Sequence, residues 1–115
     1  MSGDPLSVAI STRALDGLTM RMAALAQNLA NAATPRFQAL SVDFEDALRT
    51  AAGQGRQAVE DLRFDFVAGK AFGPNDERRL DLLVADAAQT AMRYSALVDM
   101  LGRRLALRQS ALGRQ

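Results

Sequence analysis

Apolar side chains in the first third of the chain recur at Val8, Leu15, Leu18, Met22, Leu25, Leu29 and Ala32, in steps of seven, three, four, three, four and three residues. This 3.5-residue period is that of a coiled-coil seam. It predicts a helix over residues 5–32, about 42 Å long at 1.5 Å per residue. Asp4 supplies an oxygen for the first free N–H groups, and Pro5 sits at the one helical position where a missing N–H costs nothing. Thr34 and Pro35 end the run, because the residue before a proline is pushed out of the α region.

A longer seam follows Leu80, Val84, Ala87, Ala91, Tyr94, Val98, Leu101 and Leu105, with Leu112 beyond Arg108. It predicts a second helix over 76–112, about 55 Å long, opened by Asp76 and Glu77 at the positive end of its dipole. Asp99 and Arg103 stand four apart as a weak supporting pair. Between the helices the pattern changes. Phe44, Ala47 and Leu48 share a face of a short helix from Asp43 to about Ala52, and Gly53-Gln54-Gly55 interrupts it. Leu62, Phe64 and Phe66 alternate with polar residues, the period-two pattern of a half-buried strand. With Gly69, Gly73 and Pro74 as loop punctuation, residues 53–74 read as a mobile insert holding one or two short strands.

These elements give a mainly α fold in one domain, 1–115: two long terminal helices form a coiled-coil-like hairpin around a connection over 33–75. Two helices alone cover only one side of each seam, so the remaining apolar surface calls for neighbouring copies or partner helices. Gly17 and Gly102 lie inside the helices, where each costs up to about 1 kcal/mol relative to alanine. Close approach of a neighbour or simple tolerance accounts equally for either.

Composition narrows the chemistry. The 115 residues include no histidine and no cysteine, so the commonest general base, thiol nucleophile and metal ligands are missing together. Lys70 is the only lysine and lies in the insert. Asp43, Glu45 and Asp46 suit the start of a short helix and are too few for a hard-cation site. Gly53-Gln54-Gly55 lacks the rest of a phosphate loop. The chain therefore reads as a non-enzyme with no cofactor and no metal. Net charge is +1, and Arg103, Arg104, Arg108 and Arg114 complement a helix C-terminus. No aromatic residue follows Tyr94 to make a nucleic-acid platform. No stretch reaches the roughly 18 apolar residues of a membrane helix, and the first residues lack the basic leader and apolar run of a secretory signal.

The segment Asn28-Leu29-Ala30-Asn31-Ala32-Ala33-Thr34-Pro35-Arg36-Phe37 is more specific. Its asparagines can hydrogen-bond the last helical carbonyls, proline forces the exit, and Phe37 can fold back on the seam. The run resembles the N-terminal signature of the flagellar axial proteins (rod, hook and hook-associated proteins), matched at Asn28, Leu29, Ala30, Asn31, Thr34, Pro35 and Phe37. Val42-Asp43-Phe44 with Ala47-Leu48, and Ala91-Met92-Arg93-Tyr94, look most like its rod proteins. Arg36 stands where the family has glycine, Phe37 where it has tyrosine and Ala33 where a polar residue is common, and Arg78-Arg79 replace an Asn-Val-Asp type of helix start. The resemblance implies a structural subunit that is exported without a cleaved signal by the flagellar type III apparatus and assembled in the periplasmic part of the basal body. Its partners would be other rod and basal-body subunits, the export apparatus and further copies of itself, with no nucleic acid and no membrane insertion. From the residues alone, a soluble helical adaptor or chaperone-like binding module is the alternative.

Overall fold

The computed structural model describes residues 4–71 and 78–113. Helix α1 (Pro5–Ala30) is followed by strand β1 (Gln38–Ser41), helices α2 (Glu45–Gln54) and α3 (Arg56–Asp61), strand β2 (Val67–Ala71) and helix α4 (Arg78–Gly113). The two long helices pack on one another, and β1 and β2 form a small antiparallel sheet with an irregularity between Gln38 and Leu40. The molecule is elongated, 64 × 26 × 15 Å.

Each end of α1 follows from its local sequence. Asp4 accepts from the Leu6 N–H at 3.0 Å and Pro5 occupies the first turn. At the other end the Asn31 N–H returns to the Gln27 and Leu29 carbonyls. The starting turn expected for the last helix, at Asp76 and Glu77, lies outside the described residues, as do Gly73, Pro74 and Arg114.

Helix α1 is packed from two sides: α4 lies along one, and α2, α3 and β1 along the other. Beyond its first turn only a narrow stripe stays open, running from Thr12 through Asp16, Thr19 and Ala23 to Ala26, Gln27 and Ala30. The core gathers Leu18 and Ala24 of α1 with Val42, Phe44, Leu48, Ala51 and Val59. Gly17 is one reason it closes. A Cβ placed there would lie 2.4 Å from Cγ of Phe44, so the missing side chain is the seat of an aromatic ring. Gly102 has nothing within 4 Å of such a Cβ. Of Gly17 and Gly102, then, the first is explained within the chain, by a ring rather than a helix.

The middle of the chain departs from its sequence pattern. Residues 56–61, expected in a mobile insert, form α3, and Val59 on it is completely buried. A six-residue helix is too short to display a period, and its core contribution is one valine flanked by Ala58. The alternating stretch 62–66 is not itself a strand, and the strand lies just after it, at 67–71. Leu62 and Phe64 alternate because they pack on the core, whereas pairing with β1 begins at Val67. Helix α2 starts at Glu45 rather than Asp43 and continues through Gly53 to Gln54. Phe44 therefore precedes the helix, and the break falls at Gly55, whose φ of 110° favours glycine.

Candidate assembly surface and its supporting connection

The connection after α1 is built from the signature residues. Asn28, fully enclosed, does not bond a helical carbonyl as expected. Its Nδ2 donates to the Leu40 carbonyl and its Oδ1 accepts from the Leu40 N–H, both at 2.8 Å. One side-chain amide thus serves as a strand partner for β1 and fixes it to α1. Asn31 behaves as expected, its Nδ2 donating to the Gln27 carbonyl at 2.9 Å, while its Oδ1 accepts from the Thr34 hydroxyl at 3.2 Å. The Thr34 N–H returns to the Asn31 carbonyl and the Phe37 N–H to that of Thr34, closing successive turns. Arg36 between them has φ 63°, a left-handed conformation that costs a non-glycine residue roughly 1–2 kcal/mol. Leu29 and Phe37 are half-buried, and Ala30, Thr34 and Pro35 are exposed.

Beneath the connection runs a ladder that the apolar seams do not predict. Arg13, Gly17 and Arg21 share one stripe of α1 at four-residue spacing. Arg13 lies over the ring of Phe64 at 5.0 Å and donates to the Leu62 carbonyl, Phe64 tilts against Phe44 at 5.6 Å, and Arg21 lies over Phe44 at 4.6 Å. Arg21 also donates to the Val42 carbonyl at 2.6 Å and grips both carboxylate oxygens of Glu45 at 2.6 and 2.7 Å. That hydrogen-bonded pairing holds the Glu45 carboxyl below its usual range and raises the Arg21 guanidinium further. The usable signal was arginine at i and i+8 around a helical glycine. Asp43 beside this group is exposed.

Helix α4 presents two apolar faces. Toward α1 it turns Leu83 and Thr90, buried, with Ala87, Tyr94, Leu97, Leu101 and Arg104 half-buried. These seven positions follow four, three, four, three, four and three spacing, and Arg104 closes the row by donating to the Ser7 hydroxyl of α1. The seam expected from sequence shares Ala87, Tyr94 and Leu101 with this face, but its other members lie to one side. Leu80, Val84, Ala91, Val98 and Leu105 are exposed, as is Leu112. Periodicity favoured the wholly apolar flank, Leu80, Val84, Ala91, Val98 and Leu105; the chain instead buries the half-polar flank of Leu83, Thr90, Leu97 and Arg104. On α1 the expected seam is closer to the packing, with Leu18 and Leu25 buried and Leu15 and Met22 half-buried. Nine of the eleven large apolar side chains exposed among the described residues belong to α4. The Asp99–Arg103 pair forms at 3.0 Å.

A groove of about 340 Å³ between α1, β1 and α4 carries Arg21, Asp43, Asp86 and Arg93 on its walls, a balance of two cations and two anions. Among the described residues there is no group of three or more acidic side chains placed to hold a metal ion, and no described helix is long and apolar enough to cross a membrane. The side chain of Lys70 lies outside the described residues. No protein-family model matches the chain, and no curated protein matches it.

Proposed function

We propose that the chain is a structural subunit of the bacterial flagellar rod, of the same kind as the proximal rod protein FlgB, and that it assembles by helix packing after export through the flagellar type III apparatus. The observation that carries this reading is the pairing of a signature-like connection, Asn28 to Phe37, with a long terminal helix whose outer face is apolar and uncovered. A filament subunit needs both: a fixed hairpin geometry, and surface reserved for neighbours through contacts that do not close into a ring. Here Asn28 and the Arg36 turn hold the hairpin's connection, and α4 holds the surface in reserve. Its partners are other rod and basal-body subunits and further copies of this chain; its site of action is the periplasmic part of the basal body; and its role requires no catalysis.

The test is deletion of the chain and complementation by the intact sequence, read by electron microscopy and motility. Loss of rod, hook and filament, restored by complementation, is the expected result. Normal flagella in a strain with no second copy would end the reading. Assembly variants belong on the outer face of α4. Leu25 is buried in its own chain, so Leu25→Asp would unfold the subunit as well as block incorporation, and the half-buried Leu101 has the same defect in milder form. The alternative, a soluble helical adaptor or chaperone-like module, would use the same uncovered face to hold a partner reversibly. It predicts recovery of the chain in the cytoplasm and its absence from detergent-extracted basal bodies.

A further inference from the structure

The outer face of α4 is itself a complete heptad seam. Shifting each position of the inner row by one residue, about 100° around the helix, gives Val84, Ala88, Ala91, Ser95, Val98, Gly102 and Leu105, continued by Gln109 and Leu112, at strict four-and-three spacing. Every one of these positions is exposed, and none is charged. The buried inner row, by contrast, contains Tyr94 and Arg104. Gly102, unexplained within the chain, falls in the middle of the outer seam.

We infer that this seam pairs with the same seam of a second copy, antiparallel, giving an isologous dimer of α4 helices. The pairing narrows the proposal above that α4 is the assembly helix, and it rests on that reading. Length and chemistry select this occupant. A seam of about 40 Å is covered only by a helix of similar length, and a second copy offers two. The open stripe of its α1 carries Thr12, Asp16, Thr19 and Gln27 among three alanines; it includes a charge and offers no large apolar side chain to the seam. Helices α2 and α3, at 10 and 6 residues, are too short. What remains is the other α4.

Direction follows from side-chain size. In a parallel pair each position meets itself, so Ala88, Ala91, Ser95 and Gly102 would face one another across voids. In an antiparallel pair a smaller side chain meets a larger one in each layer: Ala88 with Leu112, Ala91 with Gln109, Ser95 with Leu105, Val98 with Gly102. Gly102 then has a function, as the slot for the partner's valine, and the two helix dipoles oppose. The overlap of about 25 residues by one helix width gives roughly 400 Å² per copy before interdigitation. This is the low end for specific interfaces, which suits a micromolar, reversible dimer. Such a dimer covers the seam from Ala88 to Leu112 until incorporation replaces it.

Sedimentation of the purified chain tests the pairing. The expected result is a reversible dimer at tens of micromolar. Val98→Asp should weaken it by at least about 100-fold, since an unpaired carboxylate would enter the seam, with the helical circular dichroism of the monomer retained. Leu107→Asp, exposed on the opposite side of α4, should leave it unchanged. Because the chain has no cysteine, a mixture of Val98→Cys and Gly102→Cys proteins should oxidise to the mixed disulfide in preference to either homodimer. A chain that stays monomeric, a dimer indifferent to Val98→Asp, or homodisulfides through Val98→Cys alone would each overturn the inference. A monomeric chain whose deletion strain lacks rods would remove this pairing and leave the assembly reading intact. A dimer whose deletion strain has normal flagella would do the reverse.

Discussion

At Gly17 the chain has no side chain, and the ring of Phe44 occupies the place where one would be, held between the Arg21 guanidinium and Phe64. Gly17→Ala has to displace that ring, and the roughly 1–3 kcal/mol of overpacking exceeds the gain of about 1 kcal/mol in helix propensity. The urea midpoint should fall accordingly. Gly53→Ala, inside α2 with nothing within 4 Å, should instead raise the unfolding free energy by up to about 1 kcal/mol, and the midpoint with it. Arg36 presents the opposite case, a side chain where none is wanted: relief of its left-handed strain makes Arg36→Gly stabilising by about 0.5–1 kcal/mol after the greater unfolded-state entropy of glycine is subtracted. Glu45 contributes through charge. Its carboxyl is depressed by Arg21 in the folded state, so the pair stabilises fully above the unfolded carboxyl pKa of about 4.3, and that contribution disappears as pH falls through the lower folded value. Solvent reaches both partners, which limits the effect to about 0.5 kcal/mol. The difference in urea midpoint between the native chain and Glu45→Gln should be present at pH 7 and absent at pH 3.

Element by element, what holds the hairpin's connection is one amide. Asn28→Ala leaves the Leu40 N–H and carbonyl without their partner in a partly buried setting, a cost of about 2–3 kcal/mol. If β1 is anchored as described, hydrogen exchange at the Leu40 amide should accelerate toward that of an open loop, while the amides of mid-α4 stay protected. The same amide marks the boundary of what the sequence made legible. Both long helices, the approximate ends of α1 and the singular run at Asn28 followed from period, cap and proline. The partner of Asn28 did not, because Leu40 lies twelve residues away and only the path of the turn brings it back. Helix α3 was illegible for another reason: its six residues show no period, and Val59 declares itself only when Leu48 and Ala51 are seen around it. The flank of α4 was misread rather than unseen: the wholly apolar row of Leu80, Val84, Ala91, Val98 and Leu105 stays exposed, and the packing of α1 selects the row carrying Leu83, Thr90, Leu97 and Arg104.

For the molecule as a whole, that selection divides α4 into a face that folds the chain and a face that can join it to others. With 36 residues against 26, α4 is about 15 Å longer than α1, and its last turns, from Leu105 to Gly113, extend beyond the cover that one chain supplies. The two faces should separate under mutation. Leu83→Asp places a carboxylate in the intrachain interface, where Leu83 is 6% exposed, and should lower unfolding free energy by roughly 3–5 kcal/mol, losing both fold and function. Leu105→Asp lies on the outer seam at 43% exposure; it should shift monomer stability by no more than about 0.5 kcal/mol. Even so, it should remove the chain from extracted basal bodies and leave cells non-motile. The measurement is the pair of values, urea midpoint and incorporation, for both variants. If Leu105→Asp assembles normally, the outer face of α4 is ordinary exposed surface, and the apolar excess on that helix has no part in joining subunits.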